Sequence, residues 1–313
     1  MIEKLIEQEL PHNRFQKLMV RGDASELLRN SMERWINSLL VDDGISSKIE
    51  NDGIEVNATI TCKQEGVFAG KVPINFLLEN WIPGGRIEYK KDDGERVKFG
   101  DVLMILSMSA EQILKFERTI LNIIGRLSGI ATTTSLWTDI STVPIAATRK
   151  TTWGLLDKWA VHHGGGLTHR LSRKDSTMIK ENDFMAFNTN ERDYKINIIN
   201  TLKKVNKNSD FLVVEARGHD EAITIAEIWF EINKDCFPFT IMLDNMSPNE
   251  CLSVSNSLES IGVRKQIILE ASGGITLEHI DRWSNSGIDL ISTSAIHRGT
   301  TPLDISLIVL KEG

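Results

Sequence analysis

FLVVEA (residues 211–216) and TIMLDN (residues 240–245) are two short apolar runs, and each carries an acidic residue at its last position but one. A helical stretch separates them along the chain. Continuous apolar runs of this length are typical of parallel strands that helices cover on both faces. Four more runs continue the rhythm beyond residue 110, namely VPIAAT, TMIK, QIILEAS and DLISTSA. The repeated alternation of helix and strand predicts an α/β fold.

The number of repeats limits the architectures that the sequence allows. About six units that share one pattern fit a closed or nearly closed α/β barrel. A doubly wound sheet is the alternative, but no Gly-x-Gly-x-x-Gly motif follows any of the strands. Enzymes built on such barrels carry their functional groups at the C-terminal ends of the strands. Strand-end residues are therefore the first candidates for a site.

The first third of the chain has a different pattern. Residues 1 to about 45 alternate acidic and apolar residues at helical spacing. Residues 53 to about 107 contain short β-rich runs that turns separate. This pattern predicts a first domain in which helices accompany an antiparallel sheet. We therefore divide the chain into domains at 1–115 and 116–313, and leave open whether the C-terminal tail packs back on the first domain.

Composition limits the class of protein. The chain has 313 residues, and its formal net charge of −7 argues against non-specific binding to nucleic acid or to an anionic membrane. No window approaches the roughly 18 apolar residues that a membrane helix needs, and the N-terminus lacks the pattern of a signal peptide. The three cysteines, Cys62, Cys236 and Cys251, form no metal-binding or paired motif. We therefore expect reduced thiols in a cytoplasmic protein.

Basic residues are concentrated in one part of this acidic chain. Seven lie between Thr148 and Lys180 against two acidic residues, so this segment carries +5 and the remainder −12. From charge alone, a solvated helix face and a site for a small, highly charged anion are equally good interpretations. The basic residues are Arg149, Lys150, Lys158, Arg170, Arg173, Lys174 and Lys180.

Polar residues follow the ends of successive predicted strands. The cations suit carboxylates and phosphates, because a guanidinium offers a planar fork to a bidentate anion. Two carboxylates, Glu215 and Asp244, suit Mg²⁺ or ribose hydroxyls, and glycine-rich turns suit a phosphate held by backbone N–H groups. Each feature alone has a structural explanation, but their joint occurrence predicts an anion-binding enzyme. The residues are Arg149, Lys150, His169, Arg170, Lys180, Glu215, Asp244, Ser272, Gly273, Gly274 and the segment from Ser292 to Ser294.

The segments around these residues are long motifs in a fixed order. FERTILNIIGRLSGIATTT is followed by TRKTTWGLL, GGGLTHRLS, MIKEN, VVEARGHDEA, IMLDNMSP, LEASGGIT and IDLISTSA. In this order they resemble the quinolinate phosphoribosyltransferase family, over about residues 117 to 307. GVFAG and DGERVKFGD extend a looser likeness to the first domain. The resemblance implies an N-terminal α/β sandwich followed by an incomplete α/β barrel.

The resemblance also implies an activity and a set of site residues. The activity is the joining of quinolinate to 5-phosphoribosyl-1-pyrophosphate, with Mg²⁺, in NAD biosynthesis. The working unit is a homodimer or a larger homo-oligomer with shared active sites. The ring substrate is held by Arg118 of the neighbouring subunit together with Arg149, His169, Arg170 and Lys180. The pyrophosphorylated ribose is held by Lys150, Glu215, Asp244, Ser272, Gly273, Gly274 and Ser294. The catalytic residues are Lys150, Lys180, Glu215 and Asp244, and the last two also bind the metal directly or through water.

Two other functions remain open from the sequence. One is a related phosphoribosyltransferase that acts on nicotinate or another monocarboxylate ring. Three arginines around a single carboxylate would leave buried charges without partners, which argues against it. The other is a non-catalytic anion-binding homologue, because Ser294, His297 and Arg298 depart from the usual pattern of the second phosphate turn.

Overall fold

The computed structural model describes residues 10–187, 194–204, 209–233 and 238–310, except for the side chains of Phe187 and Tyr194. The strands in this part of the chain are β1 (Met19–Val20), β2 (Asp23–Ala24), β3 (Glu55–Cys62), β4 (Gly66–Val67), β5 (Arg86–Tyr89), β6 (Arg96–Val97), β7 (Val102–Ser109), β8 (Ile145–Ala147), β9 (Thr177–Ile179), β10 (Leu212–Ala216), β11 (Phe239–Asp244), β12 (Ile268–Ser272), β13 (Leu290–Thr293) and β14 (Ile305–Val309). The α-helices are α1 (Glu26–Asp42), α2 (Lys71–Trp81), α3 (Ala110–Ile140), α4 (Leu155–His163), α5 (Glu181–Phe187), α6 (Tyr194–Lys203), α7 (His219–Ile232) and α8 (Pro248–Ser260). Short 3-10 helices cover Phe15–Lys17, Arg264–Gln266 and Leu277–Trp283.

The residues fall into two compact units. The barrel unit comprises Met1–Arg14, Trp137–Arg149 and Leu167–Ser294, and the sandwich unit comprises Phe15–Leu136, Lys150–Gly166 and Ala295–Gly313. The division of the chain between residues 115 and 116 stays a prediction. No helix in the described ranges combines the length and the apolar character needed to cross a bilayer. Cys62 and Cys251 are buried free thiols, whereas Cys236 lies outside the described residues.

The barrel unit is built on a six-stranded parallel sheet. Its strand order is β8-β13-β12-β11-β10-β9, with β8 and β9 at the two edges. All five residues of β10 are buried, as the continuous apolar run predicts. The six parallel strands form a curled sheet that makes up half a barrel, so the predicted α/β class and incomplete-barrel architecture are confirmed.

The register of the sheet decides which side chains share a face. Glu215 is level with Met242 and Met242 with Glu270, so these three lie in one row across β10, β11 and β12. Asp244 and Ser272 form the next row toward the C-terminal edge. Side chains two residues apart on a strand face the same way. Both rows therefore face one side of the sheet, where Phe211, Val213 and Met242 form a buried cluster.

Local sequence fixes the ends of the helices in this unit. Ser247 caps α8 by accepting a hydrogen bond from the backbone N–H of Glu250, and the Glu250 side chain accepts from the backbone of Ser247. Pro248 stands at the start of this helix, where its missing N–H costs nothing. Together they start α8 shortly after Asp244, so the strand-end carboxylate and the beginning of the helix are held in one short turn.

The sandwich unit contains a four-stranded antiparallel sheet of order β14-β3-β7-β5. The last strand of the described chain, β14, pairs with β3 from Ile305 opposite Cys62 to Val309 opposite Ala58. The helix α1 confirms the predicted helical pattern over Glu26–Asp42. The prediction was wrong for the preceding stretch, where Phe15–Lys17 is a 3-10 helix and Met19–Val20 and Asp23–Ala24 are short strands, and residues 1–9 lie outside the described residues. Its N-cap Ser25 accepts a hydrogen bond from the backbone N–H of Leu28.

Two adjacent histidines at the end of α4 make the stability of this unit sensitive to acid. His162 stacks on Phe15 with 3.5 Å between ring centroids, and the ring of His163 lies 4.3 Å from that of Trp159. Burial lowers the pKa of each histidine to about 4. The unfolded chain therefore binds more protons between pH 6.5 and 4, so folding is destabilised as the pH falls through this range.

We expect the free energy of unfolding to fall by about 1 to 2 kcal/mol per histidine between pH 7 and pH 5. Urea unfolding of the wild type and of His163→Gln at both pH values measures the effect, which should be smaller in the variant. His279→Gln is the control because His279 is exposed. An unchanged pH dependence in His163→Gln would rule out this contribution.

Candidate active site

Most of the predicted site residues lie at the C-terminal edge of the parallel sheet. Arg149 comes two residues after β8, Lys180 directly follows β9, and Glu215 and Asp244 are near or at the ends of β10 and β11. This arrangement follows from parallel pairing, which brings the carboxyl ends of all the strands to one edge. The predicted residues in the barrel unit are Arg149, His169, Arg170, Lys180, Glu215, Asp244, Ser272, Gly273, Gly274 and Ser294.

Lys180 and Glu215 are in direct contact. Ile179 is paired with Val214, so the next residues along the two strands are level, and the Lys180 ammonium donates to Glu215 Oε2. The Glu215 side chain is only 5% exposed, whereas that of Lys180 is 46% exposed. The buried carboxylate of Glu215 is thus paired with a lysine whose side chain is about half exposed to solvent. Such a cation can turn toward an incoming anion.

Arg217 is a further cation at this edge and was not among the predicted site residues. Its Nε lies 4.0 Å from Glu215 Oε1, and its guanidinium also pairs with Glu181. Both carboxylate oxygens of Glu215 therefore face positive groups. The quoted motif VVEARGHDEA contained this arginine, and its position two residues after Glu215 was the signal for it.

Asp244 is half-buried at the end of β11. Its Oδ2 accepts a hydrogen bond of 2.8 Å from the side-chain amide of Asn245. Asn245 adopts a left-handed backbone conformation, with φ 58°, and its N–H donates to the carbonyl of Ser272 at 2.8 Å. This turn orients the Asp244 carboxylate beside the start of the glycine turn on the neighbouring strand.

The glycine turn after β12 needs its two glycines for different reasons. Gly273 has φ 92°, and a side-chain carbon there would lie 2.3 Å from Asn245 Oδ1, so no other residue fits. Gly274 has φ 66°, and a side-chain carbon there would meet nothing within 4 Å. The turn thus presents backbone to open space, as a phosphate site requires. The Ser272 hydroxyl donates to the carbonyl of Ser292 at 3.3 Å, and Ser294 is half-buried just beyond β13.

Arg170 is a buried cation, with 8% of its surface exposed. Burial, together with the charges of Arg149 and Arg173, lowers its pKa to about 10. The guanidinium is still protonated at neutral pH. Its Nη1 donates to the carbonyl of Ser176 at 3.3 Å. Two like charges held close together, one of them buried, are stabilised by a bound dianion.

His169 is almost completely buried, and both of its ring nitrogens have partners in the protein. Nδ1 accepts a hydrogen bond of 2.7 Å from the N–H of Arg170, so Nε2 carries the proton and donates to Glu270 Oε2 at 2.9 Å. A direct bond from this ring to a substrate carboxylate would have to replace one of these contacts. The role of His169 as a substrate ligand stays a prediction.

Glu270 and His12 complete a buried group around His169. His12 Nε2 lies 3.5 Å from Glu270 Oε2, and all three side chains have little or no exposure. Burial raises the pKa of Glu270, but the neighbouring His169 and His12 outweigh it and hold the pKa below its usual range. Glu270 was recognisable as the one acid within the apolar run QIILEAS, whereas nothing in the sequence connects His12 to it.

The same three residues have potential metal ligands within 4.8 Å of one another. Their spacing nevertheless fits hydrogen bonds. One carboxylate oxygen faces both imidazoles, and its 2.9 Å separation from His169 Nε2 is an ordinary hydrogen-bond length. We therefore treat the group as a hydrogen-bonded one.

Arg118 and Lys150 belong to the sandwich unit. Arg118 is exposed on α3, and Lys150 is exposed in the segment that precedes α4. This segment is anchored by Asp157, whose Oδ2 accepts from the backbone N–H groups of Thr152 at 2.7 Å and Trp153 at 3.1 Å.

Asp157 is itself held by Arg126 in a bidentate contact, with distances of 2.9 to 3.1 Å. The Arg126 guanidinium also lies 5.0 Å from the ring of Trp153. The tryptophan is thus held by a cation–π contact as well as by the hydrogen bond from its backbone N–H to Asp157.

An edge of a parallel α/β barrel that carries clustered cations, two carboxylates and an open glycine turn defines an enzyme-like site for a phosphorylated substrate. Comparison with known proteins identifies the family. The profile "Quinolinate phosphoribosyl transferase, C-terminal domain" matches residues 130–308, and the corresponding N-terminal domain profile matches residues 43–128. The chain belongs to the quinolinate phosphoribosyltransferase family.

Individual relatives agree with this assignment. A probable nicotinate-nucleotide pyrophosphorylase [carboxylating] of Archaeoglobus fulgidus is 35% identical over 82% of this chain and 95% of its own length. The chloroplastic enzyme of that name from Arabidopsis thaliana is 34% identical over 81% and 74%. Among solved structures, the nicotinate-nucleotide pyrophosphorylase of Francisella tularensis superposes with a TM-score of 0.74 at 26% identity, covering 90% of this chain and 97% of that one.

Proposed function

We propose that the protein transfers the phosphoribosyl group of 5-phosphoribosyl-1-pyrophosphate to quinolinate and releases pyrophosphate and CO₂. The product is nicotinate mononucleotide, a precursor of NAD, and the enzyme is a decarboxylating pentosyltransferase. The observation that carries this proposal is the set of cations and carboxylates at one edge of the parallel sheet, in a chain that belongs to this family.

The ring substrate is a dianion, and the cations supply its counter-charges. Arg149 and the buried Arg170 are close enough for their charges to interact, which suits two neighbouring carboxylates. Lys180 adds a half-exposed ammonium at the same edge, and His169 fixes the backbone that carries Arg170. Arg118 is assigned to the ring substrate from the family motif alone.

The ribose substrate is assigned to the carboxylates and the glycine turn. Glu215 and Asp244 suit the ribose hydroxyls and a Mg²⁺ ion that comes with the pyrophosphate. The backbone of Ser272, Gly273 and Gly274 suits the 5-phosphate, because this turn is open on one side. Lys150 and Ser294 are assigned to the same substrate from the family motifs.

Mg²⁺ is part of the proposal, and the residues present fit it. Glu215 and Asp244 offer hard carboxylate oxygens on neighbouring strands, which suits an ion that keeps waters and phosphate oxygens among its ligands. Lys180 and Arg217 face both oxygens of Glu215, so contact through water suits this residue better than direct ligation. When bound, the ion would neutralise part of the pyrophosphate charge.

The reaction has two steps. The ring nitrogen forms a bond to C1 of the ribose while the bond from C1 to the pyrophosphate oxygen breaks, through an oxocarbenium-like transition state. The protein aligns the two atoms and stabilises the departing charge with Lys150 and Lys180. The bond between C2 and its carboxylate then breaks, the ring cation stabilises the resulting carbanion, and a proton takes the place of CO₂.

The assembly and the location are further parts of the proposal. We expect a homodimer or a larger homo-oligomer in which Arg118 enters the site of the neighbouring subunit. The buried free thiols Cys62 and Cys251 support a reducing compartment, and we propose the cytoplasm. The net charge of −7 supports small-molecule substrates over nucleic acid or membrane partners.

The activity is tested by supplying quinolinate, nicotinate and nicotinamide separately with 5-phosphoribosyl-1-pyrophosphate and Mg²⁺. We expect the mononucleotide and CO₂ from quinolinate, and kcat/KM at least about a hundredfold lower for nicotinate, because its single carboxylate leaves one arginine unpaired. Chromatography of the nucleotide and release of labelled CO₂ are the measurements. Equal use of nicotinate would favour the monocarboxylate enzyme, and binding without turnover would favour the non-catalytic homologue.

A further inference from the structure

The N-terminal segment Leu10–Arg14 contacts the turn that carries His169 and Arg170. The segment lies outside the family profiles, whose matches begin at residue 43. It belongs to the barrel unit, although the chain that follows it belongs to the sandwich unit. Its contacts with the turn that carries His169 and Arg170 are therefore a part of the site that the family motifs do not describe.

His12 supports the turn from inside the protein. Its side chain is fully buried, and its ring lies 4.8 Å from that of His169 and 4.7 Å from that of Phe211. Nε2 approaches Glu270 Oε2 at 3.5 Å, and Thr240 Oγ1 at 3.4 Å. Burial lowers the pKa of His12 although Glu270 opposes the shift, so the neutral ring packs here and offers one N–H.

The carboxylate of Glu270 links His12 to His169. Glu270 has no exposure, and its Oε2 accepts the Nε2–H of His169 at 2.9 Å. Ser272 lies two residues further along β12, so Glu270 is one layer deeper than the strand-end residues. Because its Oε2 is engaged by the Nε2–H of His169 and the side chain has no exposure, Glu270 acts on the site by orienting the imidazole.

His169 needs such support because its backbone is unusual. Its φ of 50° is in the left-handed region, which costs a residue with a side chain about 1 kcal/mol or more unless its surroundings hold it. The bond from the Arg170 N–H to Nδ1 and the bond from Nε2 to Glu270 hold both ends of the ring. The direction in which Arg170 leaves the turn depends on this conformation.

Arg14 holds the same turn from its other side. Its backbone N–H donates to Thr168 Oγ1 at 2.7 Å. Its guanidinium binds Asp175 at 3.2 to 3.3 Å and also pairs with Asp210. Asp175 in turn accepts from the backbone N–H of Leu171 at 2.9 Å. Arg14 is therefore bonded to Thr168 before the His169–Arg170 pair and, through Asp175, to Leu171 after it.

We infer that His12, Arg14 and Glu270 are positioning residues for the ring-carboxylate subsite. They hold His169 in its left-handed conformation, and thereby hold Arg170 where it meets the ring substrate. The inference rests on the proposed function for the identity of the ligand. It predicts an effect on the ring substrate that is separate from the ribose substrate, because the glycine turn and Asp244 have other supports.

The test uses the full-length chain with His12→Ala and Arg14→Ala, and Arg34→Ala as the control because Arg34 is exposed on α1. Calorimetry measures the Kd of quinolinate, and separately that of 5-phosphoribosyl-1-pyrophosphate with Mg²⁺. We expect the Kd and KM of quinolinate to rise about tenfold in each variant, with kcat and the Kd of the ribose substrate changed by less than about threefold. Arg34→Ala should match the wild type.

The conservative variants His12→Gln and Arg14→Lys separate positioning from a general loss of folding. Each keeps a donor near its partner and should recover about half of the lost affinity on a logarithmic scale, so its quinolinate Kd should stay about threefold above that of the wild type. If His12→Ala or Arg14→Ala does not fold, His12→Gln and Arg14→Lys test the positioning role in its place. A quinolinate Kd equal to that of the wild type in both of them and in every folded alanine variant would overturn the inference.

A second measurement does not depend on the substrate. Amide hydrogen exchange at Arg170 and Leu171 should become about tenfold faster in His12→Ala and Arg14→Ala, because these N–H groups donate to His169 and Asp175. Failure of the wild type to bind quinolinate would refute the proposed function, whereas unchanged exchange in the variants would refute the positioning role. The two failures are thus distinguishable.

Discussion

Glu215→Gln and Asp244→Asn are each expected to lower turnover about a hundredfold and to raise the Mg²⁺ concentration that half-saturates the enzyme. Each substitution keeps the shape of the side chain and removes its charge. The ion and the pyrophosphate would lose a counter-charge that matters most as negative charge builds up on the leaving group. Steady-state rates measured over a range of MgCl₂ concentrations give both quantities.

The contacts of Glu215 make its substitution the more severe of the two. Glu215 is buried between Lys180 and Arg217, so Glu215→Gln leaves two cations around a neutral amide. Asp244 is half-buried and hydrogen-bonded to Asn245, and among the described residues it has no such pair of cations. The thermal stability of Glu215→Gln should therefore fall, whereas that of Asp244→Asn should change little.

The double variant distinguishes one shared metal unit from two separate roles. Residues that act on one substrate–metal complex are non-additive, so the loss in Glu215→Gln/Asp244→Asn should be much smaller than the product of the two single losses. Asp220→Asn is the control, since Asp220 is exposed at the start of α7. Full activity in the presence of a chelator would remove Mg²⁺ from the mechanism.

The strand ends could be predicted because chain order and parallel pairing determine them. Lys180, Glu215 and Asp244 each follow or end an apolar run, and parallel strands bring such positions to one edge. The glycine turn could also be predicted from the local sequence, because only glycine adopts its left-handed backbone without strain. These parts of the site follow from short-range sequence and one topological rule.

The support around His169 could not be predicted in the same way. His12 is separated from Glu270 by most of the chain, and no periodicity links the two. A buried acid in an apolar strand signals a partner but does not say which residue it is. The sequence also could not show that both ring nitrogens of His169 are already hydrogen-bonded, because that depends on the left-handed backbone at this residue.

Mixing two inactive variants is expected to restore activity if the active site is shared between subunits. Arg118→Ala and Lys150→Ala should each have almost no activity alone. Both side chains are exposed, so we expect both variants to fold. In this proposal Lys150 acts in its own subunit, whereas Arg118 acts in the neighbour. A two-fold assembly makes this exchange reciprocal.

In a heterodimer of the two variants, one site combines an intact Lys150 with an intact Arg118, and the other has neither. Half of the dimers in an equal, fully exchanged mixture are heterodimers. The mixture should therefore recover roughly a quarter of wild-type activity. Subunit exchange is followed independently with two affinity tags, and activity is measured as the mixture equilibrates.

The matched control is a chain that carries Arg118→Ala and Lys150→Ala together. Mixed with either single variant, it forms heterodimers in which no site has both residues, so activity should stay at background. Recovery in that control would mean that mixing stabilises the chains without completing a site. With exchange demonstrated, background activity in the mixture of single variants would place Arg118 in its own subunit's site or outside the reaction. Recovery of a quarter of wild-type activity in the mixture of single variants, with background activity in the control, would require that Arg118 of one subunit serve the substrate bound by the other.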